Sequence, residues 1–321
     1  MSRSVNLHAP SWKQAFLEVL YWVMVVTCIL LVLLSWRFDL ILLGIVGVIG
    51  AGILLYGGLI EPRLVQIKKY SVGAGREGVA DQKISETKPV RLVFLSDLHA
   101  GLKKSQRFYD HIARRVEMLE PDLLVFGGDL VDESTDAAEA LTSLLGLKPR
   151  LGTWFVLGNH DFFDDPKRLQ TWLLRHGLKD LTNRSVKLPL NGEAEFELVG
   201  LDDSWYGQPD VALVEKSKTG LRVLIAHEPD ILLDLPEGCA DVVLLGHTHG
   251  GQIRLPVYGP ITGLPQSAPQ WLDAGEKAWK NLRIIISRGI GEALVRARLG
   301  ARPEIVVLDI ESRQGNENSL A

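Results

Sequence analysis

The distribution of apolar and polar positions divides the chain into two unlike parts. Residues 19–36 and 40–60 hold no Asp, Glu, Lys or Arg, and each run is close to the roughly 20 residues with which a helix crosses the hydrocarbon core of a bilayer. Only Arg37-Phe38-Asp39 separates them, a break short enough to fold the two runs into a hairpin of transmembrane helices. Gly44, Gly47, Gly50 and Gly52 in the second run permit close helix contact. A cleaved signal peptide would be shorter, would end at a small-residue cleavage site and would not be followed at once by a second apolar run. The cations fall outside the pair: Arg3 and Lys13 precede it, Arg63, Lys68, Lys69 and Arg76 follow it, and Arg37 alone lies between. The expectation is a two-pass anchor over 1–62 with both ends on the cytoplasmic side, then a linker over 63–87.

From residue 88 the pattern changes. Short β-branched runs at 91–96, 122–126, 153–157, 195–201, 222–226, 241–245, 283–287 and 305–310 alternate with amphipathic stretches at 106–119, 137–145 and 166–176. The first set predicts strands and the second helices, which makes an α/β domain. Strands apolar on both faces belong to sheets covered on both sides. One domain is expected over 88–312, since about 230 residues suffice for a single large core. A polar tail over 313–321 completes the chain.

Composition then removes several function classes. With 46% hydrophobic residues among 321, general disorder is excluded. The 35 Lys+Arg against 39 Asp+Glu give a net charge of −4, so there is no global basic field and no nucleic-acid partner is expected. Cys28 and Cys239 are too few for a disulfide framework or a thiolate metal site. A transporter or channel is disfavoured because the two spans carry no intramembrane ionisable residue.

The chemistry lies where the strands stop. The run at 90–95 ends in Asp97-Leu98-His99, that at 123–126 in Gly127-Gly128-Asp129, and that at 154–157 in Gly158-Asn159-His160-Asp161. Later, 223–226 ends at His227, and 242–245 ends in Gly246-His247-Thr248-His249-Gly250-Gly251. Taken singly, most of these are ordinary turns: Gly, Asn and Asp favour turns and helix starts, and a lone histidine is commonly a core residue. Two imidazoles at i and i+2 among glycines are harder to explain as a turn. Five strand ends of the same form, all opening toward the crevice at the carboxyl edge of a sheet, are not coincidence. Asp97, His99, Asp129, Asn159, His160, Asp161, His227, His247 and His249 offer oxygen and imidazole donors without sulfur, which suits first-row divalent metals. Two such ions clamp the attacking and leaving oxygens of a displacement at phosphorus and supply hydroxide at neutral pH. Hydrolysis of a phosphate ester or anhydride is the expected chemistry.

In these residues the chain resembles the calcineurin-like metallophosphoesterase superfamily, whose ordered blocks are D-x-H, G-D, G-N-H-D/E, H and G-H-x-H; every block is matched. The resemblance covers 91–310 and implies a sandwich of two mixed β-sheets flanked by helices, with the membrane hairpin outside it. It also implies roles. One divalent ion takes Asp97, His99, Asp129 and His249, the other Asp129, Asn159, His227 and His247, with Asp129 as the bridge. His160 stabilises the transition state or protonates the leaving oxygen, and Asp161 orients it. The ions are Mn, Zn, Fe, Co or Ni. Gly246 to Pro256 (GHTHGGQIRLP), Ser287 to Gly291 (SRGIG) and Arg302 to Ile305 (RPEI) further resemble the membrane-associated bacterial branch. That branch includes YaeI- and YkuE-like phosphodiesterases and the UDP-2,3-diacylglucosamine pyrophosphatases of lipid A synthesis.

An anionic substrate needs cations, and a guanidinium can grip a phosphate with two hydrogen bonds. Arg288, directly after a predicted strand, is the favoured substrate contact, ahead of Arg296, Arg298 and Arg302. Asp202 and Asp203 read as turn formers. Trp205, Tyr206 and the segment 255–264 are candidates to wall the cleft or touch lipid. The leading expectation is thus a membrane-anchored dimetal phosphohydrolase with the bilayer and a lipid-linked pyrophosphate such as UDP-2,3-diacylglucosamine as partners. Its alternatives are a general phosphodiesterase and a non-catalytic scaffold. The sequence leaves the oligomeric state open.

Overall fold

In β2 (Val90–Leu95), Val90, Leu92 and Phe94 belong to one buried cluster while Val93 and Leu95 belong to another, the two-residue period of a strand with both faces covered. The structure, a computed structural model, describes residues 11–73, 88–101, 104–132, 134–190, 194–215 and 220–312. Its helices are α1 (Ser11–Phe38), α2 (Ile41–Leu55), α3 (Gln106–Glu117), α4 (Thr142–Leu145), α5 (Pro166–Arg175) and α6 (Ala212–Glu215). Besides β2, its strands are β1 (Gln66–Gly73), β3 (Leu123–Gly127), β4 (Thr153–Val156), β5 (Lys179–Asp180), β6 (Arg184–Pro189), β7 (Glu195–Gly200), β8 (Leu221–Ile225) and β9 (Val242–Leu245). They continue with β10 (Arg254–Leu255), β11 (Gly259–Pro260), β12 (Gly275–Trp279), β13 (Leu282–Ile286) and β14 (Glu304–Glu311).

Two six-stranded mixed sheets result, in the orders β1-β14-β2-β3-β4-β5 and β12-β13-β9-β8-β7-β6. Leu92, Phe94, Leu123 and Val125 of the first sheet share one core with Leu198, Val223, Leu244 and Ile285 of the second. On the outer face of the first sheet, Leu124 and Phe126 pack with Tyr109, Ile112 and Val116 of α3 and Leu169 and Leu173 of α5. The i, i+3, i+7 spacing of the α3 residues gives that helix its buried stripe. The outer face of the second sheet has its own cluster around Leu224, Val243 and Ile284. All eight strands expected from the sequence are present, and the fold is the expected sandwich.

Two expectations need correction. Residues 66–73, assigned to a linker, form β1, paired in parallel with β14 over its whole length. The exposed Lys68 and Lys69 disguised it, yet lysines are what an edge strand carries on its open side. Residues 74–87 and 313–321 lie outside the described residues, as do Arg3 and Arg76 of the orientation argument. The helix expected over 137–145 is mostly a 3-10 turn, Thr135–Leu141, with only α4 after it.

The segments Ala15–Phe38 and Ile41–Arg63 are long and apolar enough to cross a membrane. They pack antiparallel, since Gly44 faces Ser35, Gly47 faces Cys28 and Gly58 faces Tyr21. At Gly47 a Cβ would lie 2.7 Å from the carbonyl oxygen of Cys28, so only glycine allows this approach. Gly52 makes no such contact. A π turn (Tyr56–Ile60) and a 3-10 turn (Glu61–Arg63) carry α2 directly into β1. The Arg298 N–H donates to the Gly57 carbonyl at 2.9 Å and the Ala301 N–H to Glu61 Oε1 at 2.8 Å, which joins hairpin and sandwich through hydrogen bonds.

Candidate metal centre

Each strand end is held by another. The Asp97 N–H donates to the Gly128 carbonyl and the His99 N–H to the Asp129 carbonyl, both at 3.0 Å, locking the loop after β2 to the loop after β3. The His160 N–H, past β4, donates to Asp129 Oδ1 at 2.8 Å. His227, past β8, sets its Nδ1 2.8 Å from the Gly127 carbonyl, and the His247 N–H, past β9, donates to Asp97 Oδ1 at 2.9 Å. These loops fold under strain: Asp97, His99, Asp129, His247 and His249 all have φ between 45° and 70°. A non-glycine residue in that region costs of order 1–3 kcal/mol and persists where the surroundings enforce it, typically at functional sites. Gly128 is required outright, for its φ is +90° and a Cβ would sit 2.6 Å from His227 Nδ1.

The side chains converge. Asp97, His99 and His249 offer donor atoms within 4.8 Å of one another, and so do Asp129, His227 and His247. Asp129 joins the two sets, with Oδ2 3.5 Å from His99 Nε2 and 3.1 Å from His227 Nε2. His249 Nε2 lies 3.5 Å from Asp97 Oδ1 and 3.0 Å from His99 Nε2. Asn159 Oδ1 is 2.9 Å from His247 Nδ1. All seven residues are buried. Asp97 Oδ2 has no hydrogen-bond partner among the described residues, an expensive condition for a buried carboxylate unless a cation meets it. This oxygen and imidazole donor set fits divalent metal ions.

The electrostatics agree with a site built around Asp129. Burial alone would raise its carboxyl, but the imidazoles of His227, His160 and His99 hold it well below the usual carboxylate range. Burial, the neighbouring His99 and the Arg298 guanidinium keep His249 well below the ordinary imidazole value, so it stays a neutral donor, as metal ligation requires.

His160 stands at the rim, with a side chain 20% exposed where those of His99 and His227 are fully buried. The carboxylate beside its ring is that of Asp132, whose Oδ1 is 3.1 Å from His160 Nδ1 and 3.3 Å from His99 Nδ1. Burial works against a charge on His160, but Asp129 and the hydrogen bond to Asp132 leave its value raised. Asp161, expected to orient this ring, accepts its hydrogen bonds from backbone instead. Asp161 is a backbone clamp: Oδ1 accepts from the N–H groups of Leu130 and Val131, and Oδ2 from that of Gly158. Burial and the Asp129 charge push its carboxyl up to about 7. Asp132 carried one sequence signal, a second carboxylate three residues beyond Asp129 in the same loop.

The remaining candidates separate clearly. Arg288 lies beside the histidine loop, where a Cβ on Gly250 would meet its Cγ at 3.0 Å, and its buried Nε has no partner among the described residues. Arg298 is fully buried behind His249, with Nη2 3.2 Å from His249 Nδ1. Arg296 pairs with Glu18 of α1 at 3.2 Å, and Arg302 is exposed. Asp202 and Asp203 are turn formers, accepting from the backbone of Gln208 and of Trp205 and Tyr206. Trp205 sets its ring edge-on to His247 at 4.5 Å.

Comparison with known proteins agrees with this geometry. The chain is 32% identical over 249 residues to an uncharacterized metallophosphoesterase of Helicobacter pylori, covering 72% of this chain and 65% of that protein, so it spans just under two thirds of that relative's length. It is 28% identical over 286 residues to metallophosphoesterase YkuE of Bacillus subtilis, covering 84% and 96% of the two chains. With phosphodiesterase YaeI of Escherichia coli it shares 31% identity over 228 residues, covering 69% and 82%. The model of the calcineurin-like phosphoesterase family matches residues 90–251, half of the chain and all five strand ends. With that match and the buried donor cluster in hand, the chain belongs to the calcineurin-like phosphoesterase family.

Proposed function

We propose that this protein is a membrane-anchored phosphohydrolase working with two divalent metal ions. One would be held by Asp97, His99, Asp129 and His249, the other by Asp129, Asn159, His227 and His247. The observation that carries the reading is the buried convergence of these seven side chains, with Asp129 Oδ2 facing both histidine groups. When bound, the metals supply Lewis acidity toward a phosphoryl oxygen and a water acidic enough to serve as nucleophile at neutral pH. Manganese, zinc, iron, cobalt and nickel all suit such donors.

The protein's own groups do the rest. His160, at the rim and charged in the raised range set by Asp129 and Asp132, delivers its proton to the leaving oxygen. Asp132 lies behind both rings, its Oδ1 3.1 Å from His160 Nδ1 and 3.3 Å from His99 Nδ1 and its backbone carbonyl 3.3 Å from His160 Nδ1, and its negative charge favours the protonated His160. Arg288 receives a non-bridging phosphate oxygen with its free Nε–H. Trp205 keeps water from the His247 side.

The substrate reading follows from the anchor. A domain joined by hydrogen bonds to two membrane-length helices works at the bilayer surface, which favours a lipid-linked pyrophosphate such as UDP-2,3-diacylglucosamine on the cytoplasmic face of a bacterial inner membrane. The name of the Escherichia coli relative, a phosphodiesterase, supports the alternative of a general diesterase. Assays of full-length protein with each metal, on bis-p-nitrophenyl phosphate and on detergent-dispersed UDP-2,3-diacylglucosamine, test both. Turnover of the soluble diester alone defeats the lipid reading. No turnover of either, with any of the five metals, defeats the phosphohydrolase reading.

A further inference from the structure

Residues 255–264, LPVYGPITGL, contain no charged side chain. They build the β10–β11 hairpin and the strand of loop behind it, and the structure turns their apolar groups outward: Leu255 is 51% exposed, Val257 109%, Tyr258 75% and Ile261 47%. Leu294, in the loop before Arg298, is exposed as well. Val257 and Leu294 are held at φ 69° and 55°, a region that a β-branched residue such as valine enters only as an outlier. Contiguous apolar surface of this kind marks an interaction site on a water-soluble face.

The contacts around this surface bear on what covers it. The hairpin base is tied to residues 298–299, the Arg254 N–H donating to the Leu299 carbonyl at 2.7 Å and the Leu299 N–H to the Gln252 carbonyl at 2.8 Å. The Arg298 N–H in turn donates to the Gly57 carbonyl in the π turn that ends α2. Val295 and Ala297 pack on Tyr21 and Val25 of α1 and Leu54 of α2, residues inside the two membrane-length segments. The Leu294 loop therefore already rests on the helices at the end where they meet the sandwich, and the hairpin springs from the same base.

On the reading of α1 and α2 as a membrane anchor, we infer that the β10–β11 hairpin and the Leu294 loop dip into the leaflet from which the anchor emerges, with Leu255, Val257, Tyr258, Ile261 and Leu294 among the lipid headgroups and upper acyl chains. Tyr258 supplies the amphipathic aromatic ring usual at that depth. The same segment reaches the metal centre at both ends. Arg254 donates to the Gly250 carbonyl at 2.7 Å and pairs with Asp273 at 2.8 Å, and the Pro265 carbonyl lies 3.0 Å from His247 Nε2. The mouth of the centre is thereby fixed against the bilayer, and a phosphorylated lipid reaches it without leaving the membrane.

The test uses full-length protein with Cys28→Ala and Cys239→Ala, an environment-sensitive NBD label on one introduced cysteine, and liposomes of phosphatidylethanolamine and phosphatidylglycerol containing lipids brominated at shallow acyl positions. Labels go on Val257→Cys in the hairpin, Leu33→Cys in α1 and Lys187→Cys on the outer strand β6. The inference predicts at least twofold quenching at 257 and at 33 and none at 187. Quenching at 33 without quenching at 257 overturns it while leaving the anchor intact; no quenching at either overturns both. Emission at 257 that rises with protein concentration and ignores brominated lipid would mean that a second copy covers the hairpin, and this also overturns the inference.

Discussion

Asp132→Asn removes one of the two carboxylates that favour the protonated His160 ring, while Asp129 and the Asp132 backbone carbonyl, 3.3 Å from His160 Nδ1, stay in place. The Oδ1 of Asp132 lies 3.1 Å from His160 Nδ1, which sets the carboxylate roughly 4 Å from the middle of the ring charge. At an effective dielectric of about 20 two unit charges at that distance interact by about 4 kcal/mol. The amide of asparagine keeps a hydrogen-bond acceptor, and His160 is part-exposed to water, so about half of that should be lost, roughly 2 kcal/mol, which moves the protonation equilibrium of His160 some 30-fold toward the neutral ring and lowers kcat by up to that factor at a pH above its folded value. Because Asp132 also faces His99 Nδ1 at 3.3 Å, metal affinity should weaken about 10- to 100-fold, and turnover must be measured at saturating metal. The assay is steady-state hydrolysis of bis-p-nitrophenyl phosphate, with metal content followed in parallel. A kcat within twofold of wild type at full metal occupancy would refute the role of Asp132. So would a loss confined to KM, because a group acting through the proton donor belongs to the transition state rather than to ground-state binding.

Other outcomes follow from the same geometry. His160→Ala should keep its metals yet lose about 10²- to 10⁴-fold in turnover; near-normal turnover would remove His160 from the mechanism. Gly128→Ala meets both a φ of +90° and a Cβ 2.6 Å from His227 Nδ1, so it should destabilise by about 3 kcal/mol or more, seen as a Tm lower by roughly 6–12 °C for a domain of this size. Burial would raise the Asp273 carboxyl, but Lys277 and Arg254 hold it below the ordinary value. Its stabilising contribution is therefore complete above the unfolded pKa of about 3.9 and lost as pH falls through the lower folded value. The Tm gap between wild type and Asp273→Asn should be positive at pH 6 and close as the buffer is taken below pH 3.9; a gap independent of pH would contradict this.

The central strands were legible because each must satisfy two cores at once. Leu123 and Val125 face the sandwich interior, Leu124 and Phe126 face α3 and α5, and an unbroken apolar run is the only pattern that serves both. The edges were not legible: β1, β6 and β12 are half-exposed and carry lysine, arginine and glutamate, which reads as loop. Seven of the donors announced themselves as polar residues following apolar runs. Asp132 did not, because its function exists only once His99 and His160, 33 and 28 positions away, are folded against it. Arg298 sat in the sequence among exposed-looking arginines, and only packing against His249 and Gly57 distinguishes it. The left-handed backbone at Asp97, His99, Asp129, His247 and His249 was equally invisible, since aspartate and histidine tolerate that region without demanding it.

Metal stoichiometry tests the central claim most directly. Full-length protein and its Asp129→Ala variant should be loaded with manganese, freed of excess by gel filtration and measured by inductively coupled plasma mass spectrometry. The account predicts two equivalents per chain in the wild type and loss of both in Asp129→Ala, with the variant still folded by circular dichroism. An active wild type with a single equivalent, or an Asp129→Ala protein that retains two, would contradict it.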